Sequence, residues 1–138
     1  MASDLSRFLD AQRYDYDTAL REIRSGRKRS HWMWYIFPQI QGLGFSSTAQ
    51  YYAIRDLEEA KDYLAHPVLG ARLKEITAAL LSLDGLSAHE IFGYPDDLKL
   101  RSCMTLFSLA APDEPLFSDV IEKYYGGDAD SRTVQLAR

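Results

Sequence analysis

Two stretches of this chain concentrate the side chains capable of chemistry. The first is Ser30-His31-Trp32-Met33-Trp34-Tyr35-Ile36-Phe37-Pro38-Gln39, which holds both tryptophans together with a histidine, a tyrosine and a glutamine. The second is Asp96-Asp97-Leu98-Lys99-Leu100-Arg101-Ser102, with Thr105 one turn further on. His31 is the candidate for acid–base work, because histidine exchanges its proton nearest to neutral pH. On a helix, His31, Trp34 and Tyr35 stand at i, i+3 and i+4 and share a face. An imidazole, an indole N–H and a phenol would then be presented together. Lys99 and Arg101 offer positive charge to an anion. Trp34 and Tyr35 offer faces on which a ring can stack, and Gln39 and Ser102 offer hydrogen bonds.

Each of these residues also has an ordinary structural role. Asp96 and Lys99 make an i, i+3 ion pair worth a few tenths of a kcal/mol. His31 suits a core or capping position. Arg24, Arg27, Lys28 and Arg29 gather at the C-terminal end of a predicted helix, where the dipole favours positive charge. Cys103 is the single cysteine; between Ser102 and Met104 in a predicted helix it reads as a small buried hydrophobe. The three histidines, His31, His66 and His89, are scattered, and no two have metal-ligand spacing. The sequence has no glycine-rich phosphate loop and no nucleophile elbow. The expectation is therefore no metal site and no cofactor.

The elements that must position these residues read as helices. Leu5, Phe8 and Leu9 predict a short first helix ending near Gln12. Ala19, Leu20 and Ile23 predict a second, capped by Asp17 and stopped at Gly26. Ser30 is the expected cap of a third, which Pro38 ends. Ser46 or Ser47 caps a short helix over 48–54, and Asp56 caps the next, which His66-Pro67 stops. Leu69, Leu73, Ile76, Leu80 and Leu83 step by 4, 3, 4, 3, the period of a buried helical stripe. Ser87 caps a turn to Phe92, and Asp96 begins a helix running to about Ala110. Leu116, Phe117, Val120, Ile121 and Tyr124 mark another, and Asp130 or Ser131 starts a last turn. No stretch shows the alternation of a strand. The predicted fold is all-α: one domain over 1–138, of about seven to nine short helices, and not a simple four-helix bundle.

With 138 residues, 46% hydrophobic and 26% charged, the chain can build one core. The net charge of -4 argues against a bulk nucleic-acid binder. No apolar run approaches the roughly 20 residues of a membrane helix, and the start of the chain lacks the pattern of a signal peptide. A soluble, cytoplasmic protein with no membrane association is expected.

The run Arg24-Ser25-Gly26-Arg27-Lys28, the tryptophan stretch through Gln39 and Gly42-Leu43-Gly44 resemble the domain-of-unknown-function 1810 family. The resemblance continues through Tyr63-Leu64-Ala65-His66-Pro67-Val68-Leu69-Gly70, Ile91-Phe92-Gly93 and Pro95-Asp96-Asp97-Leu98-Lys99-Leu100-Arg101-Ser102. Cys103 departs from it, standing where the family pattern has serine. The resemblance implies a small, soluble, all-helical protein and no particular activity. Some relatives are labelled calpastatin, but inhibitors of that kind are disordered, charge-rich repeat chains, whereas this composition is compact and aromatic.

These readings converge on a small-molecule site for an anionic or nucleotide-like ligand, lying between the Ser30–Gln39 and Asp96–Thr105 segments. Trp34, Tyr35, Gln39, Lys99, Arg101 and Ser102 are its expected contacts. A stronger version is an enzyme with His31 as acid or base. The rival is a non-catalytic protein-interaction module with Trp32, Trp34 and the tyrosines as an exposed anchor patch; its protein partner is not named by the sequence.

Overall fold

The computed structural model describes residues 3–138. Among them it forms nine helices: α1 (Ser6–Arg24), α2 (Met33–Ile36), α3 (Ser47–Tyr52), α4 (Leu57–Ala65), α5 (Leu69–Ser82), α6 (Ala88–Phe92), α7 (Asp96–Ala110), α8 (Pro115–Tyr125) and α9 (Ser131–Leu136). The described residues contain no strand, only one isolated parallel bridge between Ile40 and Ile54.

The centre of the molecule is α7. Leu100 and every residue from Ser102 to Phe107 are buried, as befits a helix surrounded by others. It packs against α4, α6, α8 and α9, while α5 packs against α1, α4 and α8. Burying Leu100, Leu106 and Phe107 contributes about 2 kcal/mol each.

Two of the expected helices are one. The break predicted near Gln12 does not occur, and α1 runs unbroken for 19 residues. Gln12 lies on the buried stripe of α1, where a polar residue looked like an ending. It is 1% exposed, and its amide donates to the Tyr35 carbonyl at 2.8 Å and to the Tyr63 hydroxyl at 2.9 Å. Buried amides are tolerated when they are satisfied in this way. Asp17 is therefore mid-helix and caps nothing.

Three of the predicted caps form. Ser46 accepts from the Ala49 N–H, Asp56 from Glu59, and Ser87 builds a reciprocal capping box with Glu90. Of the predicted stripe, Leu69, Leu73, Ile76 and Leu80 are buried on α5, while Leu83 lies just past its end and is half-buried. At Gly70 the two helices touch through backbone: a Cβ there would lie 2.0 Å from the Leu64 carbonyl oxygen.

Candidate functional site

The tryptophan stretch is held from below by a residue the sequence did not single out, Glu22. Near the end of α1 the chain turns at Gly26, whose φ of +84° suits glycine. It then passes back over Glu22. The Oε1 of Glu22 accepts from the N–H groups of Arg29 (2.8 Å) and Ser30 (3.0 Å) and from the Trp32 indole (3.0 Å). Its Oε2 accepts the Ser30 hydroxyl at 2.6 Å. Burial pushes this carboxyl up, but the bonds from Ser30, Arg29 and Trp32 outweigh it and bring the pKa down to about 2. Ser30 is consequently not the cap of α2, which starts only at Met33 after Trp32. Trp32 is 1% exposed and belongs to the core.

Beyond α2 the chain forms one wall of a cleft. Ile54 N–H donates to the Gln39 carbonyl and Gln41 N–H to the Ile54 carbonyl, both at 2.8 Å. This pair of bonds closes the segment from 40 to 54 into a loop containing α3. Gly42 has a φ of +105° and lies against Leu136 of α9, and its carbonyl accepts a long bond, 3.4 Å, from Arg132. The facing wall is the first two turns of α7. Trp34, Gln39, Leu43, Tyr52, Leu98, Lys99 and Ser102 line the space between, a cleft of about 230 Å³.

Lys99 is the only charged side chain among the described residues lining this cleft. Its Nζ lies 5.0 Å from the Trp34 ring centroid, a cation–π distance. It also lies 3.4 Å from Asp96 Oδ1. Asp96 is shared, because its Oδ2 is 2.9 Å from Lys28 Nζ, and Lys28 in turn covers the Trp32 ring at 5.1 Å. Two ammonium groups thus face one carboxylate, and the cluster keeps a surplus of positive charge. Ser102 donates to Asp130 Oδ2 at 2.8 Å, as Thr133 does at 2.5 Å, and Asp130 N–H donates to Thr105 at 2.9 Å. Burial raises the Asp130 carboxyl, but the Thr133 and Ser102 hydroxyls and the Arg101 charge bring it below its ordinary value. The polar residues of α7 that stood out in the sequence therefore serve partly to dock α9.

The expected set divides in three. Trp34, Gln39, Lys99 and Ser102 meet in the cleft. His31 and Tyr35 lie in a separate open groove with Tyr51, and Trp34 and Tyr52 form the partition lining both. His31, Trp34 and Tyr35 thus do meet around this groove, although α2 begins only after His31 and the cleft with Lys99 lies on the other side of the partition. Tyr35 donates to Asp15 of α1; burial first and this carboxylate second raise its hydroxyl pKa. Arg101 turns away from the cleft, 3.3 Å from Asp128 Oδ2 and over the Tyr125 ring.

Sequence reasoning missed Tyr52, Leu43, Leu98 and Gly42 as lining residues. No local pattern marks them, since the Ile40–Ile54 pairing brings the loop to α7. Glu22 had one signal: it lies three residues beyond Ala19 on the buried side of α1. Cys103 is buried, and burial pushes its thiol pKa well up, in keeping with a small core side chain. Among the described residues no three of His, Cys, Asp and Glu gather as a metal site, and no helix is long and apolar enough to cross a membrane.

No curated protein matches this chain. Among solved structures it is similar to the conserved hypothetical protein Rv1873 from Mycobacterium tuberculosis, with 52% identity and a TM-score of 0.95 over 96% of this chain and 95% of that one. That protein shares the all-helical fold. Residues 2–137 match the family described as "Protein of unknown function (DUF1810)", and the chain belongs to that family.

Proposed function

We propose that the protein binds a small anionic, ring-bearing ligand in the cleft between α7 and the 40–54 loop. One observation supports this reading above the others: a mainly apolar cleft with two aromatic walls, Trp34 and Tyr52, holds a single charged side chain, Lys99. An apolar recess with few convergent polar groups is the usual form of a small-molecule site. Gln39 and Ser102 supply further hydrogen-bonding groups at its rim. At about 230 Å³ the cleft is below the roughly 300–1,000 Å³ of drug-sized sites. A nucleotide would seat its base or its phosphate there, but not both.

The geometry favours binding over catalysis by His31, which does not line this cleft. The rival reading, an exposed anchor patch of tyrosines with Trp32 and Trp34, lacks Trp32, since that ring is in the core, and keeps exposed tyrosines at Tyr14, Tyr51 and Tyr94.

The test is calorimetry with nucleotides, ADP-ribose-type compounds, simple phosphates and heteroaromatic carboxylates, on wild type and Lys99→Gln. A charge-assisted contact is worth about 1.5–3 kcal/mol, so the variant should bind at least about tenfold more weakly. Silence of the whole panel on wild type, or equal affinity for the variant, would refute the proposal.

A further inference from the structure

The groove on the other side of the Trp34–Tyr52 partition has different chemistry and is argued independently of the cleft. Tyr35, Tyr51 and Tyr52 make a corner there. The Tyr51 and Tyr52 rings lie 4.8 Å apart at 81°, and Tyr35 and Tyr52 lie 5.0 Å apart at 54°. The Tyr51–Tyr52 pair meets edge to face rather than in a stack, and all three rings line the groove. Tyr51 remains 61% exposed, and its hydroxyl has no protein partner among the described residues.

The ring faces carry negative potential, and the charge beside them is negative too. Tyr35 donates to the Asp15 carboxylate. The carboxylates of Asp15 and Asp10 both act on Tyr52, whose hydroxyl pKa is raised by burial first, then by Tyr51, then by these two. His31 also lines the groove, and no lysine or arginine among the described residues does. Lys99 meets Trp34 but lines the cleft and not the groove, and Arg13 pairs with Asp10 at the surface. Elsewhere this protein repeatedly sets its own cations over aromatic rings: Arg7 on Phe8, Lys28 on Trp32, Arg72 on Tyr16. The tyrosine corner has none among the described residues.

We infer that the Tyr35–Tyr51–Tyr52 corner, with Asp15 behind it, binds a quaternary methylammonium group. Such a cation is weakly hydrated and gains from ring faces without a large desolvation cost, whereas a primary ammonium is held more strongly by water. The group can come from a free solute such as choline or from a trimethylated lysine side chain.

The experiment is calorimetric titration with choline, with its neutral tert-butyl isostere dimethylbutanol, and with trimethyllysine both free and within a short peptide. A cation–π site should prefer choline to the isostere by about tenfold, lose about tenfold in Tyr51→Ala, and hold affinity within about twofold in Tyr51→Phe. Asp15→Asn should weaken binding severalfold. Tyr51 is exposed, so its variants should fold, and circular dichroism verifies this. Tighter binding of the peptide than of choline would identify a protein side chain as the source, and the reverse a free solute. Equal binding of choline and the isostere, no binding at millimolar choline, or unchanged affinity in a folded Tyr51→Ala would overturn the inference. None of these outcomes depends on Lys99 or on an anion in the cleft.

Discussion

Replacing Glu22 by glutamine tests how the tryptophan stretch is held. The substitution keeps size and shape: the amide oxygen can still accept from Arg29, Ser30 and the Trp32 indole, and the new NH₂ can donate to the Ser30 hydroxyl. What disappears is the charge. Glu22 is 9% exposed, and its carboxyl falls from 4.5 to about 2 in the folded protein. At roughly 1.4 kcal/mol for each tenfold change in proton affinity, the ionised form stabilises the fold by on the order of 3 kcal/mol. Because the folded pKa is the lower one, this contribution is fully present above the unfolded value of 4.5 and is lost as pH falls towards about 2. Urea unfolding of wild type and Glu22→Gln, followed by far-ultraviolet circular dichroism across that range, isolates the effect, since all other carboxyls are common to both. Wild type should lead by about 3 kcal/mol near neutrality and converge on the variant near pH 2. A gap that is absent at neutral pH, or one that persists unchanged down to about pH 2, would refute the account.

Two further substitutions probe the packing. Gly70→Ala drives a methyl into the Leu64 carbonyl oxygen. Backbone cannot step aside as a side chain can, so the loss should reach about 3 kcal/mol or more, and the thermal midpoint should drop by roughly 10 °C; a midpoint within a degree or so of wild type would contradict the close approach. Gln12→Leu strips the hydrogen bonds from the buried Tyr63 hydroxyl and the Tyr35 carbonyl, at about 1–3 kcal/mol for each group left bare. Tyr63→Phe should therefore cost less in the Gln12→Leu background than in wild type, and an equal cost in both would show that the pair is not coupled.

The helices were largely legible because their ends are chemical. Ser46, Asp56 and Ser87 cap where their side chains permit, and the α5 stripe has a single reading. The break assigned at Gln12 shows the limit: a polar residue on an apolar face marks a helix end only if it has no buried partners, and its partners come from α2 and α4, distant in the chain. The two polar segments were recognisable by composition, and Trp34 does meet Lys99. Assigning Arg101 to the same site was avoidable. Residues two apart on a helix point roughly 200° from each other, so Lys99 and Arg101 must face opposite ways. The division between His31 and the cleft was not legible, because it depends on where α2 begins, and that is set by Glu22 from another helix.

The attachments of α9 have a consequence for how the cleft behaves as a machine part. Asp130, just ahead of that helix, is bolted to Ser102 and Thr105 on one wall, while Leu136 and Arg132 brace Gly42 on the other. The helix is therefore a strut spanning both jaws. If the cleft takes the ligand proposed above, thermodynamic reciprocity would run in both directions: an occupant that grips both jaws would steady the strut, and loosening the strut would weaken their grip. Selectivity for an occupant of one width would thus depend in part on residues that never touch it.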